Sequence, residues 1–282
     1  VQPAIPSPRQ YAYRSKLTPH FQKPKSGETP RIGFLVAGRR SQVLDVPKCL
    51  IAMDEINEAL PAERARVIRN ADSYKHGATL LLRATEGRVE TNPRSPVTEK
   101  VRDLTFHFLA GDFFQNNPYI LPAFTDYVAE KASADGQRFL LDAYCGSGLF
   151  ALTLASRFEK VTGIEVSETS ADWARRNAAT NGLTHTHFIA ASAENLFADI
   201  SDPAAETTVI IDPPRKGSSP AFLSQLFAYG PSRVVYISCN PATQMRDLTA
   251  FLEAGYELEE IQPFDLFPQT RHLECVITLR KN

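Results

Sequence analysis

The chain has 282 residues, 43% of them hydrophobic and 22% charged, with a formal net charge of −1. That length can bury one sizeable core or two modest ones, and two domains are expected. No apolar run approaches the roughly 20 residues that cross a bilayer, so no membrane partner is expected. Cys49, Cys145, Cys239 and Cys275 are scattered without a C-x-x-C pair. That spacing argues against a disulfide framework or a metal site and fits a reducing, intracellular compartment. The start, Val1-Gln2-Pro3, has neither an initiator methionine nor a signal-peptide pattern, so the chain reads as a fragment of a longer protein.

The near-zero charge hides an asymmetry. Residues 1–110 hold 18 Lys+Arg against 11 Asp+Glu, a net of +7, whereas residues 111–282 hold 13 against 21, a net of −8. The first segment interleaves Arg14, Lys16, Lys23, Lys25, Arg31, Arg39 and Arg40 with Tyr11, Tyr13, Phe21 and Phe34. Such a mixture suits phosphate contact and base stacking, although a solvated basic surface explains charge alone equally well. Ile32–Val36 reads as a strand, Val46–Leu60 as an amphipathic helix and Thr79–Arg83 as a second strand. Residues 1–110 are therefore expected to form a small basic α+β domain that contacts RNA.

After the turn-rich Gly111-Asp112-Phe113-Phe114-Gln115-Asn116-Asn117-Pro118, strands and helices alternate regularly. Short apolar runs at 139–141, 161–164, 186–189, 209–211 and 234–237 are separated by helical stretches, as in a doubly wound α/β sheet. The first run enters Asp142-Ala143-Tyr144-Cys145-Gly146-Ser147-Gly148, where glycines let backbone approach a ligand. A dinucleotide fingerprint needs a third glycine three residues after Gly148, and Ala151 stands there. The second run ends at Glu165, whose carboxylate can accept from ribose hydroxyls. The short Gly-Ser-Gly form followed by an acid favours an S-adenosylmethionine methyltransferase over a dehydrogenase. A structural turn beside a surface glutamate is the plainer alternative.

The fourth run leads to Asp212-Pro213-Pro214-Arg215-Lys216-Gly217. Adenine N6-methyltransferases follow Asp-Pro-Pro with an aromatic residue; Arg215 here argues against that chemistry. The fifth run delivers Ser238-Cys239-Asn240-Pro241 to the carboxyl edge of the sheet, where α/β proteins keep their sites. A lone cysteine is ordinarily a small inert hydrophobe, and Cys275, inside the strand-like Cys275–Leu279, fits that description. Cys239 lies past a strand among turn formers, and Glu274 stands at the mouth of another strand. A thiol and a carboxylate suggest covalent catalysis followed by proton removal.

Four segments in order carry a family resemblance: Leu141–Gly148, Asp212–Gly217, Tyr236–Leu248 and Asp265–Glu274. Together they resemble the RNA (uracil-5-)-methyltransferases, with the greatest likeness to the fungal tRNA enzymes that make 5-methyluridine in the T-loop. The resemblance is dense over residues 111–282. It implies a Rossmann-like class I S-adenosylmethionine-dependent methyltransferase domain over residues 111–282, preceded by the smaller α+β domain. It also implies Cys239 as nucleophile and Glu274 as proton acceptor. Gln115, Tyr144, Glu165 and Asp212, with Gly146 and Gly148, match the cofactor site, and Phe113 and Arg215 match positions near the target base. Leu149 departs from the Asn of bacterial tRNA members. The family's N-terminal barrel is not matched, and no metal or iron–sulfur cluster is expected.

The implied reaction methylates C5 of uridine, most readily position 54 of tRNA, through a covalent bond from Cys239 to C6. The base must leave its stack to reach such a site. The expected partner is RNA, with no obligate protein partner. Uracil methylation of ribosomal RNA and a non-catalytic RNA chaperone on the same fold remain alternatives; the chaperone would not need both Cys239 and Glu274.

Overall fold

The structure is a computed structural model that describes residues 1–25, 28–191, 197 and 200–282, the side chains of residues 40 and 41 excepted. The chain divides into two units. The larger holds Val1–Pro8, Lys100–Phe108 and Tyr119–Asn282; the smaller holds Arg9–Glu99 and Leu109–Pro118. The sequence boundary between residues 110 and 111 thus differs from this division at three places. The proline-rich first eight residues and Lys100–Phe108 group with the larger unit, and Leu109–Pro118 with the smaller.

The larger unit is built on a seven-stranded sheet. In spatial order its strands are Thr186–Ala190, Lys160–Glu165, Phe139–Asp142, Thr207–Ile211, Arg233–Ser238, Glu274–Lys281 and Tyr256–Phe264. The first five run parallel. Glu274–Lys281 is antiparallel to both of its neighbours. Every residue of Thr207–Ile211 and Arg233–Ser238 is buried, which is why these strands read as unbroken runs rather than alternations. Leu141, Ile164, Val209, Val234 and Ile277 from the sheet pack with Phe222, Leu226, Leu248 and Phe251 from the helices Pro220–Tyr229 and Pro241–Glu253.

The strand order places Phe139–Asp142 and Thr207–Ile211 side by side although two strands intervene in sequence. The chain reverses its direction of winding there, so the carboxyl ends of these strands open the crevice that doubly wound sheets use for ligands. The outer strand, Tyr256–Phe264, is covered by the first residues of the chain: Gln2 and Ile5 donate N–H to Ile261 and Pro263, at 2.9 and 3.0 Å. Asp265 donates back to Ile5 at 2.9 Å. An open sheet edge is thereby paired.

The smaller unit contains a four-stranded sheet in the order Arg39–Asp45, Ile32–Val36, His20–Phe21, Ala78–Thr79, and a three-stranded sheet in the order Lys16–Leu17, Leu82–Thr85, Arg88–Glu90. Thr79–Arg83 is therefore not one strand. The segment leaves one sheet at Thr79 and joins the other at Leu82. The helix runs Asp54–Arg69 rather than Val46–Leu60. Residues before it are held in turns by Asn57, whose Oδ1 accepts the Cys49 N–H at 2.9 Å and whose Nδ2 donates to the carbonyls of Cys49 and Ala52. Asp54 and Glu55 in its first turn and Arg66 and Arg69 in its last suit the helix dipole.

Candidate active site

The glycine loop follows Phe139–Asp142 directly. Gly146 and Gly148 have φ of +54° and +93°, a region in which side-chain-bearing residues are strained. Open space surrounds the missing Cβ of Gly146: no heavy atom lies within 4 Å of it. Asp142 is buried at the strand end, and its Oδ2 accepts the Ala151 N–H at 2.9 Å, tying the strand to the helix beyond the loop. Burial pushes its carboxyl up to about 7, with the Asp212 charge adding to the effect. Glu165, at the end of the neighbouring strand, accepts the Gly146 N–H on Oε2 at 3.1 Å and the Ser167 N–H on Oε1 at 2.9 Å. One bond per oxygen leaves acceptor capacity on a half-buried carboxylate. Tyr144 packs against Phe222, ring centroids 5.2 Å apart, and burial lifts its phenol to about 12.

Asn177, which sequence reasoning missed, braces this loop from behind. Fully buried on the helix Glu168–Thr180, it donates to Ser147 O and His107 O, both at 3.0 Å, and accepts the His107 N–H at 2.7 Å. A buried amide that satisfies three backbone groups fixes the loop's position. The available signal was a polar residue on the alanine-lined face of that helix, between Ala174 and Ala178.

Cys239 and Glu274 meet through sheet register. The antiparallel ladder between Arg233–Ser238 and Glu274–Lys281 ends on the pair Ser238 and Cys275, so the next facing residues are Cys239 and Glu274. Cys239 is half-buried and Glu274 is 2% exposed. Burial holds the Glu274 carboxyl well above the usual range, the Asp212 charge pushes the same way, and Arg215 opposes both. Burial also raises the Cys239 thiol, seconded by Glu274, while a hydrogen bond from Arg215 pulls it down. Asp212, half-buried at the end of Thr207–Ile211, is raised by burial. It acts electrically on both Asp142 and Glu274, so it is the carboxylate common to the glycine loop and the thiol.

The loops carrying these groups are laced together. Asn240 Nδ2 donates to Arg215 O at 3.0 Å, and Thr243 Oγ1 to the same carbonyl at 3.3 Å. Fully buried Gln244 donates to Tyr236 O at 2.9 Å and Cys275 O at 3.1 Å, bridging the strands that present Cys239 and Glu274. Asp247 Oδ2 accepts the Ser218 N–H at 2.9 Å and the Tyr236 hydroxyl at 2.7 Å. Gln244 and Asp247 share the buried face of Pro241–Glu253 with Leu248 and Phe251. Two polar side chains among apolar ones were the signal for this scaffold.

Cys239, Glu274, Asp212 and Arg215 are thus brought together, and Tyr144, Gly146, Gly148 and Glu165 form the adjoining loop region. Phe113 and Gln115 belong to the smaller unit, where Phe113 is 73% exposed and Gln115 is buried. The turn before them is pinned by two cations. Lys16 Nζ donates to Gly111 O and Asp112 O at 2.7 and 2.9 Å, and Arg83 donates to Ala110 O and Asp112 O, both at 2.9 Å. Lys16 is therefore committed to backbone, and burial lowers its ammonium to about 8. Cys275 is buried in the ladder, its thiol pushed up to about 11. Among the described residues no helix is long and apolar enough to cross a membrane, and no group of three or more His, Cys, Asp or Glu could hold a metal ion.

Residues 79–282 match the family described as tRNA (Uracil-5-)-methyltransferase. The chain belongs to that family. It is 45% identical over 299 residues to the tRNA (uracil(54)-C(5))-methyltransferase of Schizosaccharomyces pombe, covering 100% of this chain and 56% of that relative. It is 36% identical over 345 residues to the enzyme of the same name from Saccharomyces cerevisiae, covering 98% and 54%. The chain thus spans a little over half the length of these curated relatives. This family member also shares its fold with the crystal structure of Pyrococcus abyssi tRNA (uracil-54, C5)-methyltransferase in complex with S-adenosyl-L-homocysteine. The TM-score is 0.76 at 23% identity, over 98% of this chain and 78% of the other.

Proposed function

We propose that this chain is the catalytic part of an S-adenosylmethionine-dependent methyltransferase that acts on C5 of uridine in tRNA, at position 54. The observation that carries the reading is the facing placement of Cys239 and Glu274. The names of the fungal relatives support the substrate.

The residues present fit the cofactor. Glu165 has acceptor capacity left for a ribose diol, Gly146 leaves open space over the loop, and Val166, 75% exposed, offers an apolar face next along the chain. Bound there, S-adenosylmethionine supplies a methyl group made electrophilic by its sulfonium.

C5 of uracil is too weak a nucleophile to take that methyl group unaided. The Cys239 thiolate adds to C6, which gives the ring enolate character and makes C5 a carbon nucleophile. Once C5 carries the methyl group, the Glu274 carboxylate removes the C5 proton; the ring electrons return and the C6–S bond breaks, freeing Cys239. Burial and the Asp212 charge oppose ionisation of both groups, so Arg215, pulling both downward, is the counterweight. The smaller unit presents Lys23, Lys25, Arg31 and Arg39 to solvent, and these suit contact with the phosphate backbone. The test is mass mapping of uridine methylation in unmodified tRNA incubated with the protein and S-adenosylmethionine. Methylation at C5 of position 54 is expected; methylation only elsewhere, or none, would overturn the reading.

A further inference from the structure

His272 lies two residues before Glu274, on the approach to the Glu274–Lys281 strand. Its Nδ1 is 2.5 Å from Arg215 Nη2, with Nε2 at 3.3 Å. A guanidinium only donates, so the imidazole is the acceptor of this pair, and Nδ1 is the nearer nitrogen. Phe267 meets the imidazole edge-on, centroids 6.4 Å apart. At its other end Arg215 is anchored by its backbone carbonyl, which accepts from Asn240 and Thr243. Asn240 is the residue after Cys239, so the second anchor seats Arg215 beside the thiol, whose pKa its side chain lowers.

An exposed arginine otherwise samples many rotamers, and a donor that wanders stabilises no anion. We infer that His272 is a positioning residue, which rests on the reading of Cys239 as nucleophile: by accepting from Arg215 it holds the guanidinium against the sulfur and so favours the thiolate. The charged groups facing that sulfur are Arg215, Glu274 and Asp212. His272 acts through the first of them. A thiolate near an arginine is more populated at neutral pH than one facing carboxylates alone.

The test needs neither RNA nor cofactor, so its outcome is independent of whether the methyltransferase reading holds. Alkylation of Cys239 by iodoacetamide is followed across pH by peptide mass spectrometry, with half-buried Cys49 as internal control. His272→Ala and Arg215→Met should each move the Cys239 profile to higher pH. Each pH unit of movement slows alkylation at pH 7 about tenfold. The double variant should move it no further than Arg215→Met alone, and His272→Asn, which keeps an acceptor near the Nδ1 position, should restore most of the shift. Cys49 should alkylate at an unchanged rate in every variant. An unmoved profile in His272→Ala, or an additive shift in the double variant, would overturn the inference.

Discussion

Cys239 and Glu274, 35 positions apart in the chain, follow directly on the last pair of an antiparallel ladder, Ser238 and Cys275, whose register brings them to one end of the sheet, where the Glu274 charge acts on the thiol. Gln244, donating to both strands, holds that pairing from the helix side. Because the proposed mechanism puts the two groups on opposite sides of one covalent intermediate, their loss should be distinguishable. Cys239→Ala should abolish both turnover and any protein–RNA adduct. Glu274→Gln should still add and methylate, then stall, so that a denaturation-resistant complex with methylated RNA accumulates. A denaturing gel with labelled tRNA and S-adenosylmethionine separates these outcomes. An adduct in Cys239→Ala, or normal turnover in Glu274→Gln, would reverse the assigned roles.

The buried Glu274 carboxyl also fixes a stability dependence on pH. Its pKa in the folded protein is raised above the unfolded value of about 4.3, so between those two values the unfolded chain binds fewer protons. The stability tied to this group is complete below the unfolded value and is lost as pH rises through the folded one. Glu274→Gln removes the loss. Its melting temperature relative to the unaltered protein should rise as the pH is raised above 5, and a difference that stays flat would contradict the burial argument.

Turnover should show the opposite sense. In the proposed mechanism Cys239 and Glu274 must both be ionised to act, and burial raises both, so single-turnover rates should climb with pH to values more alkaline than free thiols and carboxyls require. A rate already flat from pH 6 upward would show that the site ionises without this penalty.

Cofactor binding should depend on Glu165. Losing charge-assisted bonds to two hydroxyls costs about 1.5–3 kcal/mol, roughly a 10- to 150-fold weaker Kd. Titration calorimetry of Glu165→Ala with S-adenosylhomocysteine measures it. Unchanged affinity would place the nucleoside elsewhere.

The smaller unit supplies a different test. Lys16 is spent on the turn at Gly111 and Asp112, so charge reversal belongs at solvent-facing Lys25, Arg31 and Arg39. Reversing all three should weaken tRNA binding and flatten the plot of log K against log salt, by about 0.7–0.9 for each phosphate no longer neutralised. Fluorescence anisotropy at several salt concentrations gives both quantities, and an unaltered slope would remove these residues from the RNA surface.

The sequence by itself determined the parallel sheet and which residues stand at its carboxyl edge. Fully buried strands such as Thr207–Ile211 and Arg233–Ser238 carry unbroken apolar runs at 209–211 and 234–237, and Gly146, Gly148, Glu165, Asp212 and Cys239 stand at or just past strand ends, where chain order alone places them at the carboxyl edge. Glu274 was legible as the head of a strand. That it faces Cys239 was not, because register between distant strands is a long-range choice made by packing. Tyr256–Phe264 has only a weak apolar pattern of its own, and becomes a strand by pairing with Glu274–Lys281 on one side and the first residues on the other. Thr79–Arg83 looked continuous, yet it splits because two sheets compete for its ends. The helix slipped from Val46–Leu60 to Asp54–Arg69 because Asn57 spends its amide on the preceding turn. Asn177, Gln244, Asp247 and His272 gave little signal for the same reason: each satisfies groups remote in sequence, and only tertiary structure brings donor and acceptor within reach.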